Sequence, residues 1–239
     1  MKYPLCRPLR RPLCREISFD THLTPGVKLL VTACAVGFML QNLGGSKFLF
    51  IFGLTPNLAW NKLYLWQPLS YIFLHHDLVH LFLNLLTLYL FGSALERLWG
   101  SVAFLKYFFI SAFGAGILTL CFTPSMGIPT VGASSATLAI LVAYAFFSPY
   151  GDRYLPFPLP LKAQYLVLAY ALGVLYLCVF RTSAFVTSLS QVGGMAIGIL
   201  YLNYYSWKQL IMRERRKYRA KIIRKRYRVV DGGKGMGKI

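Results

Sequence analysis

The sequence predicts an all-α, multi-pass membrane protein, and three observations carry that reading. Of 239 residues 56% are hydrophobic, with a mean hydropathy of +0.53. That is too apolar for a soluble domain of this size. Six apolar segments follow one another, each near the length needed to cross about 30 Å of hydrocarbon at about 1.5 Å per residue. Charge is sparse and lopsided, with 26 Lys and Arg against 7 Asp and Glu, and most of the excess lies at the two ends.

Residues 1–26 are expected to form a basic cytoplasmic segment, with Lys2, Arg7, Arg10, Arg11 and Arg15 against Glu16 and Asp20. Its short repeat, PLCR-PLRR-PLCR, holds Cys6 and Cys14. Two thiols without further nearby ligands do not make a zinc site, so reduced thiols and no metal or cofactor are expected. The remaining cysteines, Cys34, Cys121 and Cys178, lie in or near apolar runs and do not form a disulfide framework. Spacing leaves a Cys121–Cys178 bridge open without supporting it. The first apolar run begins near Val27, late and without a clear small-residue cleavage site, which does not read as a cleaved signal peptide.

The membrane region, residues 27–207, divides into apolar segments at 27–43, 78–95, 102–122, 133–148, 163–180 and 185–205. The basic residues orient them. The N-terminus, the turn around Arg97, the loop at 152–162 and the tail hold most of the Lys and Arg, whereas the opposite loops hold Lys47, Lys62 and Arg181. Both termini are therefore expected inside. Aromatic residues agree, with Trp99, Tyr204, Tyr205 and Trp207 at inner ends and Trp60, Tyr64 and Trp66 on the outer side. The long connection from Gly44 to Asp77, rich in aromatics and poor in charge, is expected to lie in or against the membrane. Pro156, Pro158 and Pro160 stiffen the inner turn between the fourth and fifth segments.

Polar residues converge at one depth. His80 and Asn84 lie in the first two turns of the second segment, spaced i, i+4 on one face. Ser134 and Ser135 open the fourth segment, and Gln191 sits about two turns into the sixth. All fall in the outer part of the bilayer, where polar groups face the bundle interior or a wet cavity and point to function. Ser134 starts a helix among free N–H groups at the positive dipole end, and Gly132 permits a tight turn before it. Together these are the parts of an oxyanion hole beside a hydroxyl. Gly194 and Gly198 form a small-xxx-small pattern suited to close helix contact. Blander alternatives stand beside these. Ser134 would merely cap its own helix, and His80 and Asn84 would hydrogen-bond between helices as structural groups. His75 and His76 precede the helix and are expected to face loop or headgroups, with no role.

In this order, Trp66, the His-x-x-x-Asn of His80 and Asn84, the Gly-x-Ser of Gly132 to Ser134, and the Gly-x-x-x-Gly of Gly194 and Gly198 carry a resemblance. Over about residues 65–200 the chain resembles the rhomboid family, intramembrane serine proteases built as six-helix bundles. The resemblance implies that Ser134 occupies the nucleophile position and that His80 and Asn84 occupy the oxyanion positions. It implies that Gly194 and Gly198 pack the sixth helix against the fourth.

Three departures qualify it. Active rhomboids have a histidine three residues before the first of those glycines, where this chain has Gln191. A glutamine amide cannot accept a proton near neutral pH, although it can hydrogen-bond a hydroxyl. Losing a triad member lowers acyl-transfer rates by roughly 10⁴ or more. Ser135 replaces a glycine that often follows the nucleophile, and Gln67 replaces an arginine that often follows the loop tryptophan. Gln191 therefore reads as the mark of a non-cleaving scaffold, as an inactivating substitution, or as a site in which His80 is a surrogate base.

The expected function is recognition of transmembrane segments of client proteins without cleavage. The alternatives are an active serine endopeptidase using Ser134 and a membrane-anchored adaptor acting through its tail. That tail, residues 208–239, carries 13 basic residues against Glu214 and Asp231. Arg213, Arg215, Arg216, Lys217, Arg224, Lys225 and Arg226 would bind anionic lipid headgroups; nucleic acid or a ribosome is the less favoured partner. Short loops without added domains suggest a bacterial plasma membrane.

Overall fold

The computed structural model describes residues 22–147, 165, 168–170, 172–173 and 185–204. The N-terminal repeat, the loop at 152–162, most of the fifth apolar segment and the basic tail lie outside these described residues. The chain divides into a main unit that ends at Tyr201 and a second that begins at Leu202.

The described structure is helical. In chain order it contains α1 (Pro25–Phe52), α2 (Pro56–Asn61), α3 (Gln67–Ser70) with a 3₁₀ turn at Tyr71–Phe73, α4 (Leu78–Thr87), a π turn at Leu88–Gly92, α5 (Ser93–Trp99), α6 (Ser101–Phe122), α7 (Ser134–Phe147) and α8 (Phe185–Tyr204). From α4 through the π turn to α5 the chain is one continuous helix, Leu78–Trp99. Four described helices are long and apolar enough to cross a membrane: α1, this continuous helix, α6 and α8.

The first helix corrects the segment expected at 27–43. After Gly44 the chain does not leave the helix for a loop; it kinks at Gly45, whose φ of 61° only glycine takes readily, and continues to Phe52. The apolar run after the glycines explains this, because it extends the lipid-compatible length beyond the break. The rest of the connection to Asp77 is built from α2, α3 and the 3₁₀ turn.

One buried carboxylate organises the opposite end. Glu96, in α5, accepts hydrogen bonds from the backbone N–H groups of Gly26 (2.7 Å) and Val27 (2.8 Å). It also accepts from the hydroxyls of Thr24 and Ser101. The first-turn N–H groups of α1 would otherwise lack partners, and a negative charge there also suits the helix dipole. The same carboxylate thus caps α1 and fixes the start of α6.

In α6, Phe104, Tyr107 and Phe108 are buried in the first half, and from Ser111 onward the buried positions are mostly small. Ser111, Ala112, Ala115, Gly116 and Thr119 are buried, whereas Phe113, Ile117 and Cys121 are exposed. Small residues permit close backbone approach between membrane helices, and Gly116 meets Pro68 at the start of α3. The outcome is a central α7, buried on nearly every side from Ser134 to Leu141, with α6, α4 and the π turn packed around it. A helix apolar all round belongs in such a core.

Candidate functional site

The site lies where α7 begins. Leu54 and Thr130 exchange two backbone hydrogen bonds (2.9 and 2.8 Å), tying the connection after α1 to the loop before α7. Two residues on, the Gly132 N–H donates to the Tyr71 carbonyl at 2.9 Å. Gly132 has φ of +119°, a region that side chains rarely enter. It is crowded as well: a Cβ there would lie 2.6 Å from Cε1 of His80. Backbone conformation and close approach both demand glycine, and together they bring the His80 ring beside the turn that delivers Ser134.

The two adjacent serines differ in state. The Ser135 hydroxyl lies 2.9 Å from that of Tyr71, which itself donates to the Ala112 carbonyl at 2.8 Å. With the tyrosine proton committed to that carbonyl, Ser135 donates to Tyr71, so its proton is engaged. The Ser134 side chain is also buried, yet makes no hydrogen bond among the described residues. Its carbonyl accepts from the Thr137 hydroxyl at 3.1 Å. Ser134 is therefore the serine whose hydroxyl remains available.

Asn84 is held at both ends. Its amide nitrogen donates to the His80 carbonyl one turn earlier (3.0 Å), and its amide oxygen accepts from the Thr137 hydroxyl (2.8 Å). One N–H of the amide is left to donate elsewhere. Thr137 thus couples α4 to the first turn of α7. Asp77 caps α4 by accepting from the His80 N–H at 2.7 Å, which lowers the Asp77 pKa and fixes the turn that carries His80.

The two glycines of α8 complete the contact. A Cβ on Gly194 would lie 2.2 Å from the Ser135 carbonyl oxygen, and one on Gly198 would lie 2.5 Å from the Tyr107 hydroxyl and 2.9 Å from Ala139 Cβ. Tyr107 itself donates to the Ala139 carbonyl at 2.8 Å. The backbones of α7 and α8 therefore touch at Ser135, and Gln191 stands one helical turn before Gly194. Its side chain is half-buried, with no hydrogen bond among the described residues. Arg213, Arg215, Arg216, Lys217, Arg224, Lys225 and Arg226 lie outside the described residues.

Four residues near the site were not assigned these roles from sequence. Tyr71 and Thr137 distinguish the serines and hold Asn84. His75, expected to face loop or headgroups, is instead fully buried. Gln41 brackets it, accepting from its N–H at 2.9 Å and donating to its carbonyl. Its ring meets the His80 ring edge-on at 5.3 Å. Burial, and then the neighbouring His80, push the His75 pKa down to about 4. Gln67 is buried too: its amide nitrogen donates to the carbonyls of Phe50 (2.8 Å) and Ile51 (3.3 Å), while its oxygen accepts from the Thr55 N–H (3.0 Å). Gln67 thus ties the connection after α1 to the end of that helix by three hydrogen bonds. Among the described residues no group of three His, Cys, Asp or Glu side chains is arranged to hold a metal. Cys34 and Cys121 are free thiols, and Cys178 lies outside the described residues.

The chain is similar to known rhomboid proteins. The chain is 28% identical over 149 residues to the mitochondrial Rhomboid protein 1 of Saccharomyces cerevisiae, covering 60% of this chain and 43% of that protein. It is 33% identical over 112 residues to the rhomboid protease GluP of Bacillus subtilis, covering 46% of this chain and 22% of that protein. It is 30% identical over 131 residues to the rhomboid protease GlpG of Serratia proteamaculans, covering 55% and 44%. The matches thus span less than half the length of each of these relatives. The rhomboid domain family profile matches residues 62–208, which takes in α3 through α8 and every residue of the site, and the chain belongs to the rhomboid family of membrane proteins.

Proposed function

We propose that this protein binds transmembrane segments of client membrane proteins in the cavity at Ser134 without cleaving them. The observation that carries the reading is Gln191, one turn before the Gly194–Ser135 contact. General-base removal of the serine proton needs a group that can hold a proton at the working pH, and an amide cannot. What an amide offers is one acceptor and two donors, uncharged at any physiological pH. A client helix that unwinds locally in the bilayer exposes peptide N–H and C=O groups that must find partners there. Ser134, Asn84 and Gln191 present both kinds of partner without a titratable nucleophile–base pair.

In the same reading, the fifth apolar segment completes a six-span bundle, both termini lie inside a bacterial plasma membrane, and residues 208–239 lie against anionic headgroups. Segments 1–26, 27–207 and 208–239 then act as basic arm, client-binding bundle and lipid-bound tail. The second reading is a protease in which His80 takes the proton; the position of its ring against Gly132, two residues before Ser134, favours it over other substitute bases. That role would take His80 away from the oxyanion.

Fluorophosphonate labelling in detergent separates these readings. The expected result is labelling of Gln191→His, none of the unchanged chain, and none of the double variant Ser134→Ala with Gln191→His. Labelling of the unchanged chain that Ser134→Ala and His80→Ala each abolish would overturn the proposal in favour of the protease. If Gln191→His folds yet does not label, the cavity is not a rhomboid site lacking only its base, and the adaptor reading takes its place. Deleting residues after Lys208 would then abolish client capture while cavity substitutions leave it intact.

A further inference from the structure

A groove lies away from Ser134, on the exposed face of α6. Its volume is about 320 Å³, and its lining includes Trp60, Tyr64, Pro68, Phe113, Ile117 and Cys121. Its walls are pinned. The Trp60 indole N–H donates to the Leu120 carbonyl at 3.1 Å, and the Asn57 N–H donates to the Met126 carbonyl at 3.0 Å, so α2 is fastened to the end of α6. Pro68 closes the base by sitting against Gly116. The α6 side is a continuous stripe at i, i+4 and i+8, formed by Phe113, Ile117 and Cys121, all exposed.

The groove is apolar along its length, and its lining residues Trp60 and Tyr64 flank Lys62 in the chain. Lys62 lies between Trp60 and Tyr64 in the chain, is exposed, and makes no ion pair among the described residues. Trp60 and Tyr64 are residue types that settle at the headgroup level, with the ring in the apolar layer and the polar atom at its edge. An apolar trough running down a membrane helix from an aromatic rim with an unpaired lysine matches one ligand chemistry. It has a hydrocarbon chain to fill the trough and an anionic group to meet the cation.

We infer that this groove seats one anionic phospholipid, with an acyl chain along Phe113, Ile117 and Cys121 and its phosphate at Lys62. Charge complementarity selects it over a zwitterionic lipid, since one basic residue at such a surface contributes about fivefold in affinity. The groove is preformed by backbone-anchored walls, so seating the chain does not require the protein to reorder itself.

The test is native mass spectrometry of the full chain released from detergent, with phosphatidylglycerol and phosphatidylcholine offered at equal concentration. The unchanged chain is expected to retain one phosphatidylglycerol with about fivefold preference over phosphatidylcholine. Ile117→Trp fills the trough and is expected to lose that lipid. Lys62→Gln, an exposed change that leaves the fold intact, is expected to keep a bound lipid while the preference falls about fivefold relative to the unchanged chain. Both variants retain the basic tail, so lipid held there does not change between them. Undiminished retention in Ile117→Trp, or undiminished preference in Lys62→Gln, would overturn the proposal. So would the unchanged chain retaining no lipid, or binding the two lipids equally.

Discussion

Gly194 rests on the carbonyl of Ser135: a methyl group in place of its hydrogen would come within 2.2 Å of that oxygen. Backbone cannot move aside as a flexible side chain can, so α8 must tilt or slide to admit alanine. Overpacking of this kind costs about 1–3 kcal/mol, and the upper end is expected here because the obstacle is backbone. Gly194→Ala should lower the thermal unfolding midpoint in detergent. Placed on top of Gln191→His, it should also remove fluorophosphonate labelling, because the introduced imidazole would no longer stand at Ser134. Undiminished labelling of that double variant would contradict the contact as described.

Gln67 places its oxygen on the Thr55 N–H and its nitrogen on two carbonyls at the end of α1. Gln67→Ala leaves the Thr55 N–H and the Phe50 carbonyl unpaired, whereas the Ile51 carbonyl keeps the Trp66 indole N–H at 2.9 Å; each buried group that water cannot reach costs about 1–3 kcal/mol. We expect a loss of about 2–4 kcal/mol in denaturant unfolding, and faster proteolysis between Phe52 and Pro68. Gln67→Arg should recover part of this, since a guanidinium can donate to the carbonyls but cannot accept from Thr55. Equal stability of the arginine variant and the parent would show that the Thr55 bond contributes nothing.

Glu96 is a second such keystone. Glu96→Ala removes the acceptor for Gly26, Val27, Thr24 and Ser101 together. The expected effect is larger than for an exposed cap, at least about 3 kcal/mol, because truncating one partner of a buried charged network strands the rest. Hydrogen exchange should locate the damage. Amides of the first turn of α1 should lose protection first, whereas those of α7 should change little.

His75 gives the protein a pH dependence with a defined sign. Its pKa lies near 4 in the folded chain against an ordinary value of 6.5. Between those values the unfolded chain binds a proton that the folded chain refuses, so stability falls as pH drops from about 6.5 to about 4 and then levels. The full depression corresponds to at most ~3 kcal/mol. Measured from pH 7 to pH 4, the unfolding free energy of the parent should fall relative to that of His75→Phe. Parallel curves would mean that His75 is protonated in the folded state too.

The sequence carried a good part of this picture. Hydropathy reads membrane segments because burial in lipid is a property of the segment itself. The Gly-x-Ser and Gly-x-x-x-Gly spacings could be placed on helices because helical periodicity is local. The same locality explains the misreadings. Gly44 and Gly45 looked like the end of a helix because glycine weakens one, and only the geometry after the kink restored the helix to Phe52. His75 was expected to face loop or headgroups, not the interior, because nothing near it in the chain announced Gln41, 34 positions earlier.

By itself, then, the sequence determined the membrane class, the order of the polar residues and the absence of an imidazole at position 191. These are matters of residue identity and of spacing within one helix. Tertiary structure decided which of two adjacent serines keeps a free hydroxyl, what grips Asn84, and how Gln67 fastens the connection after α1. A hydrogen bond needs two groups within about 3 Å at a defined angle. For Ser135 and Tyr71 those groups lie 64 residues apart, and for Thr137 and Asn84 they lie 53 apart. Only the packing of the 3₁₀ turn and α4 against α7 sets those distances.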